Sequence, residues 1–151
     1  MLLLLFRVGD ERYGLEASQV VEVAPLVCLK MIPQTPDYIA GLFDYRGCPV
    51  PVIDLCRLSS EQSCKVCMTS RIIIVNYGAE NGQRKILGLL AEQVTETVKQ
   101  DPAALISSDI SITAAPWLGD FVKDSEGMLQ LIDVDGLLPK MLRTSLFSAA
   151  S

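Results

Sequence analysis

Tyr45-Arg46-Gly47-Cys48-Pro49-Val50-Pro51-Val52-Ile53-Asp54-Leu55 is the stretch that decides the fold. Prolines at i and i+2 remove two backbone donors from the same side of an extended chain. That side cannot accept a full ladder, so Cys48–Ile53 is expected at a sheet edge or a barrel rim. Asp54 is placed to cap a short helix over the residues that follow. Working outward, the chain is a series of short strand-like runs broken by turn signals, with little helical periodicity. Leu2 to Val8 puts Leu4, Phe6 and Val8 on one face and Arg7 on the other. Gly9-Asp10 turns the chain into Glu11–Leu15, with Tyr13 and Leu15 inward, which makes a β-hairpin. Glu16 to Gln19 suits one helical turn before a strand over Val20–Val27. Pro33-Gln34-Thr35-Pro36 is a rigid connector, because each proline fixes its own φ and restricts its predecessor.

Beyond the deciding stretch, Ser59–Thr69 is polar and reads as a loop. Arg71–Tyr77 is β-branched and apolar on both faces, so it belongs in the middle of a sheet. Gly78–Gly82 is a turn. Lys85–Ala91 is the next strand and is expected to run on through Val94 and Val98. Asp101-Pro102 resembles a helix start with Asp as cap and Pro at the first position. Leu118–Val122 and Met128–Val134 form a final strand pair around Asp124–Gly127, and Val134–Phe147 is expected to be helical, limited by Pro139. About ten short strands, few helices and no separating linker predict a mainly β chain in barrel or sandwich packing.

Composition narrows the function. The chain has 151 residues, half of them hydrophobic and 21% charged, which supports a buried core. The net charge is −5 and there is no basic run, a poor match to a phosphate backbone. There is no histidine, so every mechanism built on an imidazole nucleophile partner, base or metal ligand is excluded. The apolar start Leu2–Phe6 is too short for a signal peptide core or a membrane span and is followed at once by charge, so a cytoplasmic location is expected. Five cysteines, Cys28, Cys48, Cys56, Cys64 and Cys67, are odd in number and irregular in spacing, against a disulfide framework. Cys64-x-x-Cys67 has neither a second Cys pair nor a histidine to complete a zinc site, so no metal and no cofactor is expected. Carboxylates such as Glu22, Asp44, Asp54 and Glu92 are not paired by any motif, and there is no phosphate-binding glycine loop. Arg46, just before the proline-marked rim, either is a solvated loop residue or offers its planar fork to a partner carboxylate. Trp117 is either a core anchor or an exposed binding residue. The residues point to binding rather than turnover.

Several segments in order resemble the chemotaxis coupling family (CheW-like adaptors). They are Phe6–Leu15, Val20–Val23, Ile32-Pro33-x-x-Pro36-x-Tyr38-Ile39-x-Gly41, Tyr45–Leu55, Ile72–Val75, Leu87–Val94 and Leu129–Asp133. The match covers about residues 2–140 of a single domain spanning 1–151. The resemblance implies two intertwined SH3-like five-stranded β-barrel subdomains with a few short helices, packed around a shared hydrophobic seam. It implies no catalysis, and an adaptor that couples the cytoplasmic tip of a methyl-accepting chemoreceptor to the regulatory domain of a CheA-type histidine kinase at membrane-associated receptor arrays. By position the receptor-binding residues would be Val20, Glu22, Ile39, Gly41 and Arg46, with an apolar floor, a glycine allowing close backbone approach and a Glu/Arg pair setting orientation. The family usually has Asn-Leu where Asp44-Tyr45 stand, and an Asp where Glu92 stands; these departures point to a dedicated, non-flagellar sensory system. Two other readings remain open: a stand-alone SH3-like interaction module outside chemosensing, and a thiol-dependent enzyme or redox sensor using Cys64 and Cys67.

Overall fold

A computed structural model describes residues 1–59, 70–77, 85–106 and 117–137. Its eleven described strands form two sheets. β1 (Leu2–Val8) and β2 (Glu11–Glu16) make the expected hairpin, with Phe6 opposite Tyr13. β10 (Leu118–Asp124) and β11 (Gly127–Ile132) make another, and β11 lies parallel to β2. β8 (Gln93–Lys99) flanks β1, and the two-residue β9 (Leu105–Ile106) flanks β10, giving the order β8-β1-β2-β11-β10-β9. The second sheet comes from the intervening chain: β3 (Val20–Pro25), β4 (Ile39–Tyr45), β5 (Cys48–Asp54), β6 (Arg71–Tyr77) and β7 (Lys85–Ala91), in the order β3-β6-β7-β5-β4. One sheet is therefore inserted between β2 and β8 of the other.

The apolar pattern explains this arrangement. Successive side chains of a strand point to opposite faces, and in β1, β5, β6 and β7 both faces are mostly dry. Leu3 and Leu5 of β1 pack with Val122, Leu129 and Leu131 inside the first sheet. Ile72 and Ile74 of β6 pack with Phe43, Val52 and Leu90 inside the second. The alternate residues meet in a third cluster between the sheets: Leu4, Phe6 and Val8 from β1, Tyr13 and Leu15 from β2, Ile53 from β5, Ile73, Val75 and Tyr77 from β6, and Leu87, Leu89 and Ala91 from β7. Trp117 is 5% exposed in this seam, its ring centroid 6.2 Å from that of Tyr13, so it is a core anchor.

Local signals resolve largely as expected. Ala17–Gln19 is a 3-10 turn. Helix α1 (Leu55–Ser59) is capped by Asp54, whose Oδ1 accepts the backbone N–H of Cys56 at 3.0 Å and of Arg57 at 3.2 Å. Asp101 Oδ1 likewise accepts the Ala103 N–H, at 2.9 Å, over a 3-10 turn that begins at Pro102.

Three expectations change. β5 is not an edge strand: β4 pairs with it along its length, and β7 joins its other side at Val52–Asp54. The prolines lie in the half where β7 has not yet joined, so their missing donors cost nothing. The run from Lys85 to Val98 is two strands. β7 ends at Ala91 in the second sheet, and β8 begins at Gln93 in the first, with the Glu92 N–H donating to the Arg7 carbonyl at 3.3 Å. The first sheet has six strands rather than five, because β9 adds a short one. Cys56 is disulfide-bonded, whereas Cys28 and Cys48 are free and exposed, so the described cysteines form no framework of bonds. After Ile132 the chain makes a 3-10 turn at Val134–Gly136, and the rest of the expected helix to Phe147 lies outside the described residues. So do the loop with Cys64 and Cys67 and the Gly78–Gly82 turn.

The two chain ends of the first sheet are tied by a bidentate ion pair. Arg12 on β2 donates to both carboxylate oxygens of Asp124, at 3.0 and 2.7 Å, with side-chain exposures of only 14% and 23%. The Arg12 hydrogen bond is the main cause that holds the Asp124 carboxyl below its ordinary value. A carboxylate with a lowered folded-state pKa stabilises the protein above its unfolded-state pKa, and this contribution is lost as pH falls through the folded value. Asp124→Asn keeps the acceptor used by the Glu126 N–H and removes the charge. It should cost about 1 kcal/mol at pH 7. In urea titrations the gap from the native protein should hold down to the ordinary carboxylate value of 3.8 and close below it.

Candidate functional site

The ends of the second sheet, β3 and β4, come together. β3 carries the chain to Lys30, which exchanges two backbone hydrogen bonds with Leu42 on the free side of β4, at 3.0 and 2.7 Å. The sheet thereby curls toward a barrel. Side chains span the same junction: Glu22 Oε2 accepts from the Tyr45 hydroxyl at 2.6 Å and from Arg46 Nη2 at 3.3 Å. The Arg46 guanidinium carbon lies 5.2 Å from the centre of the Tyr45 ring, in cation–π range. Two strand edges thus place a carboxylate, a phenol and a guanidinium in one exposed cluster.

Backbone irregularities aim these groups. A bulge between Val20 and Glu22 gives β3 an extra residue, Val21, and one between Ile39 and Gly41 gives β4 an extra residue, Ala40. Bulges bend a strand and redirect its side chains, and they cluster near functional surfaces. Val21 and Val23 flank Glu22 on β3 and are 44% and 38% exposed. The β4–β5 turn has two successive positive φ values, +52° at Arg46 and +82° at Gly47, the mark of a two-residue hairpin turn that matches strand twist. Asp44 Oδ1 accepts the Gly47 N–H at 2.9 Å and closes it. Glycine adopts this conformation freely, whereas for arginine it costs about 1 kcal/mol. Arg46 is held there with a side chain 76% exposed. The Glu22 hydrogen bond is the leading cause that raises the Tyr45 phenol above its ordinary value.

The five residues expected from sequence are thus not equivalent. Glu22 and Arg46 are brought together at the surface. Val20 is half-buried and packs against the seam. Ile39 is 7% exposed and belongs to the seam itself, so it supports the surface from beneath. Gly41 is buried, at φ +147°, and a Cβ there would lie 2.6 Å from the Lys30 carbonyl oxygen. Its close backbone approach is to the chain's own Leu29–Lys30 segment. Tyr45 was not among the five; its place beside Arg46 and in the departure Asp44-Tyr45 was the available signal. Among the described residues, no group of three or more Cys, Asp or Glu is arranged to hold a metal ion, and no helix is long and apolar enough to cross a membrane.

Two substitutions should separate fold from surface here. Gly41→Ala should destabilise by about 2 kcal/mol or more, because both φ and the Lys30 carbonyl oppose it. Arg46→Asn creates an Asn-Gly turn and should raise stability by about 0.5 kcal/mol. Chemical denaturation of the two variants checks the opposite signs.

Comparison with known proteins agrees with this architecture. The CheW-like domain family model matches residues 2–141. The chain is 30% identical over 141 residues to the chemotaxis protein CheW of Klebsiella aerogenes, covering 89% of this chain and 80% of that one. It is 36% identical over 89 residues to the protein FrzA of Myxococcus xanthus, covering 59% and 52%. The crystal structure of the scaffolding protein TtCheW from Thermoanaerobacter tengcongensis superposes with a TM-score of 0.79 at 28% identity, over 91% of this chain and 87% of that one. The two sheets are the pair of SH3-like subdomains that this fold contains. With the model spanning nearly its full length, the chain belongs to the CheW-like family, whose members are scaffolds and adaptors rather than enzymes.

Proposed function

We propose that this chain acts as one cytoplasmic domain that seats the hairpin tip of a methyl-accepting chemoreceptor against β3 and the β4–β5 turn, and joins it to the regulatory domain of a CheA-type histidine kinase in a membrane-associated array. The observation that carries the proposal is the Glu22–Tyr45–Arg46 cluster, exposed across a junction of strand edges, on a strand that also exposes Val21 and Val23. A helical tip needs an apolar patch for affinity and a few charges for register. Glu22 and Arg46 supply both signs, while Val20, Ile39 and Gly41 shape the strands that present them. Family membership supports an adaptor role, and nothing in the comparisons favours an SH3-like module outside chemosensing. The proposed thiol role of Cys64 and Cys67 has no described geometry behind it.

Arg46→Glu sets like charges side by side at the surface and leaves the buried seam untouched. Binding to a soluble receptor hairpin fragment, read by calorimetry, should weaken about tenfold or more, with an unchanged far-ultraviolet circular dichroism spectrum. Wild-type affinity in that variant would remove the receptor surface from this location.

A further inference from the structure

We propose that Tyr45 is the positioning residue of this surface: it locks Glu22 and Arg46 into one preset unit and so sets how tightly a partner carboxylate is gripped. The proposal rests on the receptor-binding reading of the same site and assigns a residue that reading does not use.

The geometry distributes order unevenly. The Tyr45 ring lies 6.2 Å from that of Phe43 and packs against the cluster inside the second barrel, so the tyrosine is anchored from below. Its hydroxyl donates to Glu22 Oε2 at 2.6 Å, a short charge-assisted bond. Arg46 reaches the same oxygen at a longer 3.3 Å, on a side chain 76% exposed. That weaker bond alone would hold a long, solvated arginine poorly, because exposed pairs gain little against side-chain entropy. The phenyl face beneath the guanidinium supplies the second restraint. Tyrosine therefore acts on both charged partners at once, through its hydroxyl on Glu22 and its ring on Arg46.

The unit also leaves recognition capacity unspent. Both donors converge on Oε2 of Glu22, and Arg46 commits one terminal nitrogen of its five-donor fork. Among the described residues the remaining donors have no partner, and they can take a carboxylate on the partner in the planar geometry that suits arginine. A fork already ordered loses less freedom on binding, which favours slower dissociation.

The test compares Tyr45→Phe, Glu22→Gln and the double variant, with Arg46→Glu as the control for the site. The probe is the cytoplasmic hairpin fragment of a methyl-accepting receptor from the same organism. Tyr45→Phe keeps the ring and loses only the hydroxyl. It should weaken binding about three- to tenfold, mainly through faster dissociation, with thermal stability unchanged. Glu22→Gln, which removes the charge that strengthens the Tyr45 bond, should act in the same direction, and the double variant should be no weaker than the worse single one, because both changes act on one link. Nitrogen-15 relaxation at Arg46 Nε in the free protein should report greater motion in Tyr45→Phe, which a merely structural role would not produce. If Arg46→Glu loses binding while Tyr45→Phe binds as the native protein does, or if the two single effects simply add, the positioning role is overturned and the receptor surface stands. If Arg46→Glu binds normally, the receptor surface itself fails and takes this role with it.

Discussion

The structure depends on strands that are dry on both faces. In β1, β5, β6 and β7 one set of alternate side chains fills the inside of a sheet, and the other set fills the seam between sheets. Ile72 and Ile74 face one core while Ile73 and Val75 face another, and all four are fully buried. A one-residue slip of such a strand would exchange its two faces. The slip would put Tyr77 and Val75 where the barrel interior is packed for smaller or differently shaped groups, so register is set by shape as well as by hydrophobicity. The seam also explains the connectivity. The second sheet is inserted between β2 and β8, and burying one face of each against the other lets neither sheet stand with an exposed apolar side.

The candidate site is a consequence of that packing. With β5, β6 and β7 held against the seam, the second sheet can curl only through its outer strands. β3 and β4 then approach across the Lys30–Leu42 bridge, and Gly41 is required where the Lys30 carbonyl comes within 2.6 Å of a would-be Cβ. The bulges at Val21 and Ala40 and the tight turn at Arg46-Gly47 take up the curvature. Glu22, Tyr45 and Arg46 meet because the edges meet. The unfavourable backbone of Arg46 fits a residue kept for recognition, since an asparagine would suit the turn better.

Much of this was legible from residues 1–137. The β1–β2 hairpin, the central β6, the caps at Asp54 and Asp101 and the β10–β11 pair follow from alternation, β-branching and side-chain oxygens that compete for backbone donors. The sheet change at Glu92 was not legible, because Leu89, Leu90, Ala91 and Val94 continue one apolar pattern while the chain passes between sheets. The inner position of β5 was hidden for a related reason. Two prolines mark a side without donors, but not how far that side extends, and β7 joins just beyond them at Val52. At the site, Glu22 and Arg46 were found through resemblance, whereas the burial of Ile39 and the self-contact of Gly41 are tertiary facts that no local pattern carries. Tyr45 was visible only as a departure from the family pattern, and its hydroxyl gained meaning once β3 lay beside it.

Because the seam draws on both sheets, it should make them one cooperative unit. Native-state hydrogen exchange tests this directly, by comparing amides of β1 and β2 with amides of β6 and β7 under increasing denaturant. A shared seam predicts that the most protected amides of both sheets converge on the same opening free energy, equal to that of global unfolding. Opening of one sheet at a clearly lower free energy, with the other still protected, would contradict the account.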